Sequence, residues 1–181
     1  KHPKKSDEII SAYQRHSENL TRPWILPGTP NLEYQIGGIE KDSFGRISYD
    51  PINHEQMTQL RHEKINRIAK DIPPLKIFGE PKGKLLLLSW GSTYGAAYET
   101  FLKSPNDFSF THLTYLNPFP KNFEETLKKF DQILIPESNM GQLAFLIQGK
   151  FKKLNIVSYP KVRGQLFTAK EIWEKILERT H

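Results

Sequence analysis

The chain has 181 residues, 26 Lys and Arg against 20 Asp and Glu for a net charge of +6, and no cysteine. That length suffices for one domain with a real core plus additional chain, and the lack of cysteine excludes disulfides, thiolate nucleophiles and Cys-ligated zinc or iron–sulfur clusters within it. No apolar run approaches the roughly 20 residues of a membrane-spanning helix, and the basic start KHPKKSDEII leads into no apolar signal core, so the expected compartment is the cytoplasm.

Residues 1–75 read as a connector arm. Asp7–Leu20 has the pattern of a short helix with Ile9, Ile10 and Tyr13 inward. It gives way to TRPWILPGTPN, whose prolines and glycine forbid regular structure. Trp24, Ile25 and Leu26 lie in that irregular path, and apolar side chains so placed are expected to dock onto something else. Two β-prone pieces then flank Asp42-Ser43-Phe44-Gly45, a hairpin turn with Gly45 at positive φ. Asp50-Pro51 has the chemistry of a helix start. The spacing of Met57, Leu60, Ile65, Ile68, Ala69 and Ile72 predicts an amphipathic helix over Pro51–Asp71, stopped by Pro73-Pro74.

From residue 76 to 181 the rhythm changes, and a second, globular domain is expected there. Leu75–Phe78 is a short possible strand. Lys84–Leu102, KLLLLSWGSTYGAAYETFL, is the stretch that organises the rest. Four consecutive leucines suit a strand buried on both faces, Gly91 breaks it, and Ser92 or Thr93 caps the helix that follows. Tyr94, Ala97, Tyr98, Phe101 and Leu102 give that helix one apolar stripe. Phe108–Tyr115, Asp131–Ile135 and Leu154–Tyr159 read as further strands. Asn122 with Glu125, Asn139 with Gln142 and Thr168 with Glu171 have capping-box spacing for three more helices. The second of these, through Met140, Leu143, Ala144, Phe145, Leu146 and Ile147, is apolar nearly all round and expected to be largely buried. Strands alternating with helices predict an α/β fold with a parallel sheet covered on both faces.

The chemistry that can be sought in these residues is sparse. The six histidines show no metal-ligand spacing. Gly91-Ser92-Thr93-Tyr94 lacks the patterns of a hydrolase nucleophile, a P-loop and a dinucleotide turn, although a strand–Gly–helix turn can hold an anion. Pro136–Leu143 packs Glu137, Asn139, Gly141 and Gln142 into one strand-to-helix turn. Glu137 there is a catalytic acid or base, or an acceptor for the N–H groups of the helix start; without a second carboxylate or histidine nearby, the second role is favoured. Lys150, Lys152, Lys153, Lys161 and Arg163 form a basic cluster, but interspersed acids and the lack of a binding motif speak against nucleic acid as a partner. A free-standing anion or nucleotide binder using the 91–95 and 136–142 turns stays open as the alternative function.

WGSTYG, HLTYLNPFP, IPESNMGQLA and YPKVRGQLFTAKEI, in this order and spacing, resemble the alpha subunit of 2-oxoacid:ferredoxin oxidoreductases, the 2-oxoglutarate type in particular. TRPWILPGTPN, IGGIEKDSFGRISYDP and HEQMTQLRHEKINRIAKDIPP resemble the connector before that module. The resemblance implies a transketolase C-terminal-like domain. Its fold is a three-layer α/β/α sandwich with five strands in order 1-3-2-4-5, the first antiparallel, with Leu75–Phe78 as strand 1 and Lys84–Ser89 as strand 2. It also implies a complex that oxidatively decarboxylates a 2-oxoacid on thiamine diphosphate with Mg²⁺. Electrons would pass through iron–sulfur clusters to ferredoxin, and an acyl-CoA would form. This chain would hold no cofactor and no catalytic residue. Its partners would be the remaining alpha-subunit domains and a thiamine-binding beta subunit, with no membrane involved. In the 1-3-2-4-5 order, Gly91, Ser92, Thr93, Tyr94, Glu137, Asn139, Gly141 and Gln142 come to one sheet edge, the expected interface with a neighbouring domain or subunit.

Overall fold

The leucine run becomes strand β1, Gly83–Trp90, in a computed structural model that describes residues 12–180. Leu86, Leu87 and Leu88 are wholly buried and Leu85 is 4% exposed, so both faces of β1 are covered. Strand β2, Ser109–Leu113, and strand β3, Phe130–Glu137, flank it in parallel, and β4, Ile156–Pro160, lies beyond β3, giving the order β2-β1-β3-β4. Successive side chains of a strand face opposite ways, and the leucines divide accordingly. Leu86 and Leu88 enter a core with Phe123 and Leu127 of helix α3, Phe123–Leu127, and Leu143 and Ile147 of α4, Gln142–Lys150. Leu85 and Leu87 enter a second core with Ala97 and Phe101 of α2, Tyr94–Lys103, and Ile172 and Ile176 of α5, Ala169–Thr180. Two cores on one sheet make the expected three-layer α/β/α sandwich.

The sheet has four strands where five were expected. Leu75–Phe78 is reduced to one antiparallel bridge, in which Phe78 exchanges two 2.8 Å backbone hydrogen bonds with Phe110 of β2. Gly79, at φ +92°, turns the chain away directly afterwards, so no ladder can form. Counting the bridge as strand 1, the order is 1-3-2-4-5 with the first member antiparallel. The segment is also pinned by side chains: Asn122 brackets the Leu75 backbone, accepting from its N–H at 2.8 Å and donating to its carbonyl at 3.0 Å. That use of Asn122 displaces the expected capping box, and α3 has no side-chain cap.

The chain divides into two units, Lys1–Asp71 and Ile72–His181. In the first, α1 spans Pro51–Arg67 and ends in a 3-10 turn, Ile68–Lys70, one residue short of the expected end. Asp50 caps it by accepting from the Ile52 N–H at 3.1 Å. Its apolar arc is only partly used: Met57 is buried, whereas Ile65 and Ile68 are 37% and 42% exposed. The hairpin turn forms as expected, with Gly45 at φ +86° and Asp42 Oδ1 accepting from the Phe44 and Arg46 N–H groups, but the arms contribute only the bridge Lys41–Ile47. The expected Asp7–Leu20 helix begins outside the described residues; over 12–20 the chain makes turns instead, with Leu20 at φ +58°. Ile25 is buried, and Trp24 and Leu26 are exposed.

The Thr168–Glu171 capping box forms in full. Glu171 accepts from the Thr168 N–H at 2.8 Å, and Thr168 Oγ1 accepts from the Glu171 N–H at 3.2 Å. Lys161 Nζ adds bonds at 2.8 and 2.9 Å to the same carboxylate. These contacts, Lys161 foremost, hold Glu171 down at about 2 from its ordinary 4.5. A depressed folded-state pKa contributes stability that is whole above the unfolded value and is lost as pH falls toward the folded one. Glu171→Gln is therefore expected to flatten the acid limb of the urea-unfolding stability curve between pH 4.5 and about 2. Superposable acid limbs for the two proteins would refute this role.

Candidate functional site

The order of the sheet reverses between β1 and β3. The helix after β1 packs on one face and the helix after β3 on the other. Such a reversal opens a crevice at the carboxyl ends of the two strands. The register, with Leu87 opposite Leu134, brings Trp90 and Glu137 to the same edge. The sequence-predicted residues Gly91, Ser92, Thr93 and Tyr94 leave β1 there, and Asn139, Gly141 and Gln142 follow β3.

At the first turn, Gly91–Thr93 is a 3-10 turn with Gly91 at φ +54°. Thr93, not Ser92, fixes it: the buried Oγ1 accepts from the Trp90 N–H at 3.2 Å and donates to the Trp90 carbonyl at 2.9 Å. Ser92 and Tyr94 are exposed. The Tyr94 ring stacks on Tyr98 at 5.5 Å and meets His112 edge-on at 4.9 Å. Burial pushes the His112 pKa down, and its Nδ1 lies 2.8 Å from Ser89 Oγ. That Ser–His pair went unread in the sequence because its members are 23 residues apart. Ser89 is wholly buried, so its hydroxyl cannot reach a substrate as a nucleophile.

At the second turn, Glu137 is the last residue of β3 and wholly buried. Its carboxylate accepts from the Leu143 N–H at 2.7 Å, the Ala144 N–H at 3.2 Å and Ser158 Oγ at 3.1 Å. Asn139 Oδ1 accepts from the Gly141 and Gln142 N–H groups, both at 2.8 Å. Gly141 sits at φ +90°, and a Cβ there would stand 2.9 Å from Ser158 Oγ, so only glycine fits. The four donors that open a helix are thus all taken by the chain's own side chains. This weighs against the anion-binding alternative at 136–142, because none of the four N–H groups that open α4 is left to hold a ligand. The capping box with Gln142 is also corrected: Asn139 serves both donors and Gln142 is exposed.

The expectation that α4 is largely buried is overturned. Leu143, Ala144 and Ile147 are buried, but Phe145 is 79% exposed, Leu146 45%, and Met140 just before the helix 81%. Gln142, Leu146 and Lys150 at i, i+4 and i+8 were the available sign of an outward stripe. Of the basic cluster, Lys161 is committed to Glu171 and the Leu166 carbonyl, and Lys150 lies over the Phe119 and Phe151 rings. Among the described residues no group of three His, Asp or Glu could hold a metal ion, and no helix is long and apolar enough to cross a membrane.

No family model matches the chain. Among curated proteins it is 41% identical over 174 residues to the 2-oxoglutarate oxidoreductase subunit KorA of Mycobacterium tuberculosis, covering 93% of this chain and 26% of that protein. It is 30% identical over 178 residues to 2-oxoacid:ferredoxin oxidoreductase 1, subunit alpha, of Sulfurisphaera tokodaii, covering 96% of this chain and 28% of that protein. A solved structure of 2-oxoglutarate:ferredoxin oxidoreductase from Magnetococcus marinus, with 2-oxoglutarate, coenzyme A and succinyl-CoA bound, matches with a TM-score of 0.88 at 24% identity. The match covers 99% of this chain and 32% of that one, and shows the shared fold. The chain spans about a quarter of the length of the two curated relatives. With the same sheet and this degree of identity, the chain is a homologue of one part of the alpha subunits of 2-oxoacid:ferredoxin oxidoreductases.

Proposed function

We propose that the chain serves as the C-terminal structural and assembly domain of the alpha subunit of a thiamine-diphosphate-dependent 2-oxoacid oxidoreductase, with 2-oxoglutarate as the substrate of the full complex. The observation that carries this reading is the 41% identity, over nearly the whole chain, to a 2-oxoglutarate oxidoreductase subunit. In the complex a 2-oxoacid is decarboxylated, electrons pass to ferredoxin, and an acyl-CoA is formed. The residues of this chain do not fit the cofactors of that reaction. No cysteine is present to ligate an iron–sulfur cluster, and the described acids and histidines do not gather around a metal. The chemistry is therefore assigned to the remaining alpha-subunit domains and a thiamine-binding beta subunit.

The contribution of this chain is a surface. Glu137, Asn139, Gly141 and Thr93 build the two turns rigidly, and Ser92, Tyr94 and Gln142 stand exposed on them beside Met140 and Phe145. Aromatic residues and methionine are enriched at the centres of protein interfaces. We assign this edge to contact with a neighbouring domain or subunit of the oxidoreductase.

Three outcomes follow. The isolated chain is expected to show no 2-oxoglutarate turnover with CoA and a viologen dye; turnover by the chain alone overturns the assembly role. Met140→Ser with Phe145→Ser, carried in the full complex, is expected to weaken subunit or domain association by about 1–3 kcal/mol while the chain's own melting temperature stays put. An unchanged association constant by analytical ultracentrifugation would remove this edge from the interface. Glu137→Ala, by contrast, strands two buried N–H donors and the half-buried Ser158 hydroxyl, and is expected to lower the stability of the chain itself by about 1–3 kcal/mol in urea unfolding.

A further inference from the structure

The first unit contains a cavity of about 620 Å³ whose polar lining is dominated by cations: Arg15, Arg22, Lys41 and Arg61. Glu40 is the one acidic side chain among them. Its carboxylate is already spent, taking Arg61 Nη1 at 2.8 Å and facing His54 Nδ1 at 2.7 Å. Arg15, Arg22 and Lys41 have no carboxylate partner among the described residues. Arg15 donates to the Leu20 carbonyl at 2.8 Å, and Lys41, only 7% exposed, donates to the Gly37 and Ile39 carbonyls at 3.2 and 2.9 Å. Those carbonyls satisfy hydrogens without neutralising charge. Arg22 has a buried Nε with no hydrogen-bond partner among the described residues, and its guanidinium lies 4.9 Å above the Tyr13 ring.

Gathering like charges in a partly dry cavity is unfavourable unless an opposite charge joins them. The strain is visible at Arg15, which burial first, then Arg22 and Arg61, pull below the ordinary guanidinium range. Two guanidinium forks match the oxygens of a phosphate, and a phosphomonoester carries about −1.5 to −2 charge at neutral pH, which suits three unmatched cations better than a single carboxylate does. The cavity is far larger than an inorganic ion needs and falls within the roughly 300–1,000 Å³ of small-molecule sites. Its remaining walls are aromatic and apolar: Tyr13 and Tyr34, edge to face at 6.3 Å, with Ile36 and Met57.

We infer that this cavity is a binding site for a phosphorylated organic small molecule, its phosphate held by Arg15 and Arg22 in the field of Lys41 and its organic body against Tyr13 and Tyr34. The site lies wholly within the first unit and does not depend on the assembly role of the second.

The test is isothermal titration of the 181-residue chain with AMP, inorganic phosphate, adenosine and citrate. AMP is expected to bind, inorganic phosphate about tenfold or more weakly, and adenosine not at all. Arg22→Met and Arg15→Met should each weaken AMP about tenfold or more, and Arg22→Lys, which keeps the charge but loses the fork, should weaken it as well. Circular dichroism reports whether each variant is folded, and Arg22→Lys carries the result if Arg22→Met is not. Lys152→Met, on an exposed surface, should leave binding unchanged. The proposal fails if millimolar AMP does not bind, if citrate binds more tightly than AMP, or if both arginine variants bind AMP like the parent. It fails equally if AMP binds only after Asp7→Asn with Glu8→Gln, since acids of the chain itself would then be the occupants.

Discussion

Everything in the second unit depends on one strand that must be hidden on both sides. Four leucines in succession cannot place an apolar face inward and a polar face outward, so β1 needs a covering layer above and below it. Parallel neighbours meet that need, because each parallel connection requires a crossover helix, and the helices become the covers. The alternation of Leu85 and Leu87 against Leu86 and Leu88 then sorts the remaining apolar residues into two cores. With β2 on one side of β1 and β3 on the other, the chain reverses direction across the sheet beside the same strand. The edge where Trp90 and Glu137 end is thus a consequence of the leucine run as much as of the turns that form it.

The donors at that edge are turned inward and large side chains are turned outward. A helix N-terminus beside a strand end commonly receives an anion, but here the anion is the carboxylate of Glu137, buried and bonded to α4's own N–H groups. A carboxylate buried this deeply is tolerable only because three donors meet it. What the edge offers outward is Tyr94, Met140 and Phe145, large apolar side chains that water covers poorly. The first unit is built on the opposite plan. Its buried apolar residues are few, namely Leu20, Ile25 and Met57 among those described, and its concavity is lined by charge.

The sequence by itself determined what depends on neighbours a few residues apart. The leucine strand, the Thr168–Glu171 box, the Asp50-Pro51 helix start and Gly45 at positive φ were legible because side chain and backbone partner lie within one turn of each other. The strand order came through as what the family resemblance of four motifs implied. Only the tertiary structure decided what each surface faces. Asn122 serves Leu75, 47 residues away, in place of its own helix. Phe145 and Ile147, alike in hydropathy, are 79% exposed and fully buried because only one of them faces the sheet. Arg15, Arg22, Lys41 and Arg61, spread over 47 positions of the sequence, line one cavity. Burial and charge pairing are properties of what stands opposite in space, and a linear pattern carries no record of that.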